Sequence, residues 1–529
     1  MVRPVNTHRC TVKALATLGV LIVLLALTAW ARLWNASDVF VEGKTFFMDP
    51  DCYSRMTRVE QIVEHPGTII HRHDFENWPL GTQPHTTAPF DYLTAALAVA
   101  LRPVAPPSPT ALDLAGAFIS PLLGLATALF AWIWAGRLKL PFRVPMIVLL
   151  ATSSILIHGT ALGRPDHQSL LILCMAVALG AEAALFAKPS RGWAVVGGVA
   201  WGLGLWVSLY EPLALLLAVF LIGLVFNRKS LVAPERRPGW LAMIFVLLIA
   251  ACVDGWRMPV IDPVLRDYFG NWSLTIGELN RTGLGTLVGW CGYLLIAAPL
   301  LLVARVKKDR VAGFWLCLLS LTAGLSLWQA RWGYFLALVF ALALPTMLQA
   351  FPKRWVALVV FALALYPIAR EGRQRIAPDE NEAGLRMERR QDALALFDVA
   401  QQLRGAHRLP VLAPWWQSPA LAYWSGQPCV AGSSHESLSG TVASARFFLS
   451  TDPTAAADVL IQRKVACVVA YDPTRVLTTS NTILHPSAPL KDPEGTMAYL
   501  LYTHREVPPF LKFAYSNAAF RVFLRPDGL

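Results

Sequence analysis

The sequence has few charged residues for its length. Asp, Glu, Lys and Arg make up only 15% of its 529 residues, whereas hydrophobic residues make up 55%. Apolar runs close to the ~20 residues that a helix needs to cross a bilayer recur along the chain. The scarcity of charge excludes an ordinary soluble protein and predicts a polytopic α-helical membrane protein.

Other features are also missing. No spacing among the eight cysteines is typical of a zinc site, and there is no short repeat or low-complexity tract. Four cysteines fall in apolar runs, where a thiol behaves as a small apolar side chain. Cys429 and Cys467 lie in the polar tail, and the sequence leaves open whether they form a disulfide.

Hydropathy predicts about eleven transmembrane helices. The apolar stretch 90–100 is interpreted as an interfacial helix, because counting it as a span would place the basic loops outside the cell. The first span is interpreted as a retained anchor rather than a cleaved signal peptide. The predicted spans are 14–32, 115–136, 143–162, 169–187, 192–209, 211–226, 240–255, 284–304, 312–328, 332–350 and 355–370.

Every second connection between these spans is rich in Lys and Arg, as expected of cytoplasmic loops. The net charge of +12 is therefore mostly a matter of topology, with the N-terminus in the cytoplasm. Because the basic residues are scattered over several loops rather than gathered on one face, nucleic acid is not an expected partner.

This topology places three segments outside, on the periplasmic side of a cell inner membrane. They are the first loop (33–114), the loop 256–283, and the tail 371–529, which follows a transmembrane domain over 1–370. The tail combines an amphipathic helix pattern at 388–403 with a short apolar strand at 465–470. It is therefore predicted to form an exterior mixed α/β domain.

Three acidic residues lie far apart in the sequence but are all predicted to reach this exterior face: Asp49, Asp166 and Glu278. Carboxylates of this kind suit a hard divalent cation. Each residue alone also has an ordinary interpretation, as a solvated loop residue or as a helix cap. A chain with so few charges has little reason to gather carboxylates at one face, and a metal-dependent active site would be one.

Arg331 lies among aromatic residues at the predicted outer end of the tenth span. Arginine suits bidentate binding of phosphate oxygens. An arginine in an interfacial aromatic belt is the ordinary alternative.

Several segments together match a known pattern: Asp49-Pro50 followed by Arg55, Trp78-Pro79-Leu80-Gly81, Thr86-Thr87-Ala88-Pro89, Asp166, Thr275-Ile276-Gly277-Glu278, and Arg331. In order, spacing and sidedness they resemble the catalytic subunit of oligosaccharyltransferase, a membrane-embedded glycosyltransferase of the GT-C class. The resemblance covers most of the chain.

The resemblance implies a function and a set of roles. Asp49 and Asp166 would hold Mn²⁺ or Mg²⁺, with His167 or Gln168 as a further ligand where the family usually has Asp, Glu or His. Asp49 and Glu278 would polarise the nucleophile. Arg331 would bind the pyrophosphate of a polyprenyl-linked glycan, and a protein acceptor, with Asn as the nucleophile, would receive the glycan. An enzyme that acts as a single subunit is expected.

Acceptor recognition departs from the family pattern. Trp415-Trp416-Gln417 resembles the start of the family's Trp-Trp-Asp-Tyr-Gly motif, but only the two tryptophans remain. Two alternatives follow. One is a transferase of similar architecture that uses a polyprenyl-monophosphate sugar and a lipid or glycan acceptor. The other is a transporter, which the scarcity of charge in the spans and the lack of an inverted repeat disfavour.

Overall fold

A computed structural model of the chain describes residues 7–84, 88–255, 262–405, 407–490 and 492–526. Thr86 and Thr87 of the family-like segment, and residues 256–261 of the loop 256–283, lie outside the described residues.

Helices dominate the first three quarters of the chain. They are α1 (Thr7–Trp30), α2 (Ala36–Val39), α3 (Pro50–Glu64), α4 (Ala88–Leu101), α5 (Ala111–Arg137), α6 (Arg143–Thr152), α7 (Ser154–Gly159), α8 (Gln168–Ala187), α9 (Arg191–Val207), α10 (Tyr210–Phe226), α11 (Arg228–Leu231), α12 (Arg237–Asp254), α13 (Arg266–Ser273), α14 (Leu284–Cys291), α15 (Leu294–Val306), α16 (Arg310–Trp328), α17 (Gly333–Leu348), α18 (Arg354–Ala364) and α19 (Tyr366–Ile376).

Five helical segments among the described residues are long and apolar enough to cross a membrane, or seven if each of two bent helix pairs is counted as one span. The prediction of a polytopic helical membrane protein is therefore confirmed, whereas the number eleven stays a prediction. All sixteen residues of α17 are buried, which places this apolar helix at the centre of the bundle. The five segments are Ala111–Arg137, Gln168–Ala187, Pro234–Asp254, Arg310–Trp328 and Ala330–Leu348.

Three predicted spans are broken rather than continuous. The span 143–162 divides into α6 and α7 at Ser153, whose ψ of 120° is not helical and whose hydroxyl donates to the Trp290 carbonyl. The span 284–304 bends by 78° between α14 and α15, where Gly292 has a φ of +82°. The span 355–370 bends by 43° between α18 and α19.

The apolar stretch 90–100 forms α4, a helix of 14 residues that packs against α3 and α5. Its buried Asp91 binds two arginines of α3, Arg55 and Arg58, each with 3.0 Å between nitrogen and oxygen. A buried carboxylate shared by two guanidinium groups fixes α4 beside α3.

The last part of the chain combines helices with a four-stranded mixed sheet in the order β3-β4-β6-β5. The pairing of β3 with β4 is parallel, and the other two pairings are antiparallel. The elements are α20 (Glu380–Leu403), β3 (Val411–Leu412), α21 (Ser418–Ser425), α22 (Leu438–Leu449), α23 (Pro453–Gln462), β4 (Cys467–Ala470), α24 (Pro473–Leu484), α25 (Met497–Thr503), β5 (Lys512–Ser516) and β6 (Arg521–Leu524); β1 (Phe40–Val41) and β2 (Lys44–Thr45) form a separate antiparallel pair.

This region and the loop 33–114 share one hydrophobic core, in which Phe47 and Tyr53 join Val411 and Val468. Backbone hydrogen bonds tie the two parts together, for example from the Trp78 amide to the Cys429 carbonyl at 3.1 Å. Cys429 and Cys467 are both buried in this core as free thiols.

Candidate active site

Arg164 lies at the meeting point of the three predicted carboxylates. Its Nε is 3.6 Å from Asp49 Oδ2, and its Nη2 is 3.6 Å from Asp166 Oδ2 and 4.0 Å from Glu278 Oε2. The structure therefore brings together three residues that are up to 229 positions apart in the sequence. Sequence reasoning gave Arg164 no role, although it stands two residues before Asp166.

Local structure explains how Asp49 reaches this point. Asp49 is the N-cap of α3: its side chain accepts a hydrogen bond from the Cys52 amide at 3.1 Å, and Pro50 occupies the first helical position. The Met48 amide donates to the Gly163 carbonyl, which joins the start of α3 to the loop that carries Arg164 and Asp166. Gly163 has a φ of +72°, a conformation that favours glycine.

Glu278 lies in the short 3₁₀ turn Gly277–Leu279. The Ala330 amide donates to the Asn280 carbonyl at 2.9 Å, so this turn is joined to the one that carries Arg331. Two predicted site residues that are far apart in sequence are thus held on neighbouring turns.

Asp166 is buried beside His167 and two arginines. Burial alone would raise its pKa, but His167, with Nδ1 at 2.7 Å, together with Arg164 and Arg55 holds the pKa of this carboxyl well below its usual range. Asp166 is therefore ionised in the folded protein.

Helix α3 separates two cavities. Asp49, Pro50 and Tyr53 line a cavity of about 450 Å³. Residues on another stripe of the same helix, spaced as i, i+3, i+4 and i+7, line a second cavity of about 500 Å³; they are Asp51, Ser54, Arg55 and Arg58. The carboxylate cluster opens to both sides, because Asp49 faces the smaller cavity and Glu278 the larger.

The larger cavity contains Arg331 and His167 as well as Glu278. Arg331 Nη2 is 2.7 Å from Oε1 of Glu211, and the Ser208 hydroxyl donates to the other oxygen of that carboxylate. Glu211 is fully buried in the apolar helix α10. Glu211 was not among the predicted site residues, although a lone carboxylate in an apolar helix is itself a signal of a functional pairing.

Asp51 also opens onto the larger cavity. Asp51 is exposed to solvent in this cavity, yet the protein that surrounds it, followed by the negative charges of Asp49 and Asp166, raises the pKa of Asp51 to about 8, although the Ser433 side chain hydrogen-bonds to it. Of the two carboxylates in the first motif, Asp49 alone makes an ion pair with Arg164.

The predicted acceptor residues lie side by side, with the Trp415 and Trp416 rings packed edge-on at 6.1 Å between centroids, but only Trp416 and Gln417 line a cavity with Asp49. Trp416 and Gln417 line the smaller cavity with Asp49, and the buried Oε1 of Gln417 has no hydrogen-bond partner among the described residues. Trp415 instead packs edge-on against Trp272, with ring centroids 5.7 Å apart. Of the three residues, Gln417 is therefore the best placed to hydrogen-bond with a polar group in the cavity.

The expected metal ligands do not form a set in this arrangement. Among the described residues, no three His, Cys, Asp or Glu side chains are grouped so that they could hold a metal ion. Asp49 and Asp166 instead share the Arg164 guanidinium, and the buried Gln168 Oε1 has no hydrogen-bond partner in the part of the chain that the structure describes. The residues as arranged do not fit the Mn²⁺ or Mg²⁺ site that the resemblance implies.

Neither a family model nor a curated protein sequence matches this chain. Solved structures match its fold over nearly the whole length. The archaeal oligosaccharyltransferase AglB from Archaeoglobus fulgidus, in complex with an inhibitory peptide and a dolichol-phosphate, has a TM-score of 0.71 at 15% identity and covers 96% of this chain and 80% of its own. An Archaeoglobus fulgidus oligosaccharyltransferase structure in complex with Zn and sulfate has a TM-score of 0.65 at 16% identity, covering 96% and 73%.

ArnT from Cupriavidus metallidurans, bound to undecaprenyl phosphate, has a TM-score of 0.52 at 13% identity and covers 97% of this chain and 98% of its own. These neighbours are GT-C glycosyltransferases, so the resemblance predicted from the sequence is confirmed at the level of the fold. The fold and the apolar helices together indicate an integral membrane protein.

Proposed function

We propose that this chain is an oligosaccharyltransferase-like glycosyltransferase. It transfers a glycan from a polyprenyl-pyrophosphate carrier to a protein acceptor, with an Asn side chain as nucleophile, on the exterior face of the membrane. The observation that carries the proposal is the position of the carboxylate cluster between two cavities. Two substrates entering from different sides of α3 would meet at Asp49 and Glu278.

The larger cavity suits the donor. Arg331 faces it and is held by Glu211, so its guanidinium is oriented before a phosphate arrives. An oriented guanidinium binds phosphate oxygens with little further ordering. In the transfer, the bond between the anomeric carbon and the phosphate oxygen breaks, and the polyprenyl pyrophosphate leaves beside Arg331.

The smaller cavity suits the acceptor. Asp49 and Glu278 accept hydrogen bonds from the Asn amide, which turns its nitrogen lone pair towards the anomeric carbon. The new bond joins that nitrogen to the sugar, and the proton released from nitrogen passes to a carboxylate. Trp416 and Gln417 contact the residues around the Asn, with a neutral amide where the family has a carboxylate.

The metal expected from the resemblance has no role in these steps. Mn²⁺ or Mg²⁺ is the expectation for an enzyme of this kind, and a structural neighbour is in complex with Zn and sulfate. Since the described residues do not group three ligands, charge stabilisation falls to residues of the chain itself.

The placement in the cell follows from the basic loops. The N-terminus and the loop containing Lys308 are cytoplasmic, and the carboxylate cluster and the sheet-containing tail are periplasmic, in the inner membrane. The chain acts as a single subunit on a lipid-linked donor and a peptide.

A second candidate is transfer from a polyprenyl-monophosphate sugar to a lipid or glycan. The fold match to ArnT over 97% of the chain and the missing Asp-Tyr-Gly favour it. Its reaction would need one phosphate contact and a hydroxyl nucleophile instead of an amide.

The experiment is a transfer assay with purified protein in detergent. A polyprenyl-pyrophosphate glycan and a polyprenyl-monophosphate sugar are each offered with labelled Asn-x-Thr and Asn-x-Ala peptides. We expect transfer from the pyrophosphate donor. The Asn-x-Thr peptide should react at most about tenfold faster than the Asn-x-Ala peptide, because the neutral Gln417 cannot form a charge-assisted hydrogen bond with the Thr hydroxyl. Transfer from the monophosphate donor alone would establish the second candidate instead.

Asp49→Asn and Glu278→Gln should each lower the rate about 10²- to 10⁴-fold, since each removes a group that polarises the nucleophile. Asp267→Asn is the matched control, because Asp267 is an exposed carboxylate near the same loop. A normal rate in either site variant would remove that residue from the active site.

A further inference from the structure

Three carboxylates close to one another repel unless a positive charge lies between them. Asp166 is buried, and Asp49 and Glu278 are each only 31% exposed, so solvent screens them poorly. The guanidinium of Arg164, at 3.6 to 4.0 Å from all three, is the described cation that contacts every member. Arg55 also contacts Asp166, with 3.7 Å between nitrogen and oxygen, and is paired with Asp91.

Other contacts of Arg164, apart from the three carboxylates, fix its position. Its Nη1 lies 2.7 Å from Nε2 of His158, and Nδ1 of His158 lies 2.9 Å from the Tyr334 hydroxyl. A Cβ on Gly159 would come within 2.8 Å of the Tyr334 ring, so this glycine lets the central helix α17 approach. The backbone carbonyl of Arg164 accepts a hydrogen bond from the buried Ser120 hydroxyl. The guanidinium is therefore a fixed charge.

We propose that Arg164 is a positioning residue that supplies the permanent positive charge among Asp49, Asp166 and Glu278, and that a divalent cation binds there only in competition with it. The family pattern gives this charge to a metal ion, and in this chain Gln168 offers only a neutral amide as a further ligand. The inference rests on the proposed function only for its activity measurement.

The first test is Mn²⁺ binding to the full-length protein in detergent, measured by titration calorimetry after removal of metals. Arg164→Gln leaves the three carboxylates without their central cation, so we expect it to bind Mn²⁺ at least tenfold more tightly than the unchanged protein. Arg266→Gln, an exposed arginine, should leave Mn²⁺ affinity unchanged. Equal or weaker Mn²⁺ binding by Arg164→Gln, including no binding by either protein, overturns the proposal.

Arg164→Lys keeps the charge but not the fork that reaches three carboxylates. Its Mn²⁺ affinity should lie between those of the unchanged protein and Arg164→Gln. If Arg164→Gln does not fold, this variant decides alone, and an affinity equal to that of the unchanged protein overturns the proposal. Neither binding measurement needs a donor or an acceptor, so a failure here is distinct from a failure of the proposed function.

The second test is kinetic. Arg164 lines neither cavity, so its removal should lower kcat at least a hundredfold while donor KM changes less than threefold. Arg164→Lys should recover part of kcat, and saturating Mn²⁺ should recover part of it in Arg164→Gln. A rise in donor KM with normal kcat contradicts a positioning role.

Discussion

Two buried glutamates of the apolar helices are paired with arginines from other segments of the chain. Glu182 of α8 binds Arg236 beside α12 with 2.8 Å between Oε2 and Nη1, and Glu211 binds Arg331 at 2.7 Å. Removing one member of such a pair leaves an uncompensated buried charge, at a cost of about 3 to 5 kcal/mol. Single substitutions at these positions therefore report on folding as well as on function.

Glu60 on α3 is a carboxylate whose environment opposes its charge. Burial and then the negative charge of Glu64 raise its pKa to about 7. The folded protein keeps this proton up to about pH 7, whereas the unfolded chain releases it near the ordinary value of 4.5. Since the folded state binds more protons in this window, stability falls as the pH rises through it.

Glu60→Gln should therefore stabilise the protein at pH 8 by about 1 to 3 kcal/mol, after allowance for partial exposure, and leave it unchanged at pH 4.5. Thermal unfolding in detergent at the two pH values measures this. Glu64→Gln serves as the companion variant and should give a smaller gain of the same sign. A gain that is equal at both pH values would contradict the assignment.

At the scale of elements, helix contacts depend on glycine where backbones touch. A Cβ on Gly198 of α9 would lie 2.0 Å from the Gly239 carbonyl oxygen of α12. Small residues at such a crossing let two membrane helices pack closely. The pair α9 and α12 thus has no room for a methyl group at this point.

Gly198→Ala should lower stability by about 2 kcal/mol, because the helices must move apart. Gly192→Ala in the same helix is the control: its Cβ would meet only the Ser190 side chain at 3.9 Å, and alanine favours the helix by about 1 kcal/mol. The thermal midpoints of the two variants should therefore shift in opposite directions, and a shift in the same direction would argue against this crossing.

Long helices such as α5, α8 and α16 could be predicted from their apolar runs alone. The break at Ser153 could not, because it depends on a hydrogen bond to Trp290, which is distant in sequence. The contacts of Arg164 with Asp49 and Glu278 could not be predicted for the same reason, since these two carboxylates come from other loops. The site was predictable as a set of carboxylates, and its central cation was not.

For the whole molecule, the predicted topology states which side of the membrane each loop lies on. Cysteines introduced at Gly277 and Thr454 should react with a membrane-impermeant maleimide in intact cells, and one at Lys308 only after the membrane is opened. All three positions are exposed. Ser433 in the same tail is buried and would label poorly.

The parent for this labelling carries Cys252→Ser, which removes an exposed native thiol. Labelling of Gly277→Cys only in opened cells would place the carboxylate cluster in the cytoplasm. It would also mean that α4 crosses the membrane.

The position of α3 between the two cavities has a consequence for how two molecules can bind. Its two stripes of residues line separate cavities, so a molecule bound in one cavity does not fill the other. If the two proposed substrates occupy these two cavities, we expect each to bind and leave without displacing the other. A single helix thus divides the region around the carboxylates into two binding spaces.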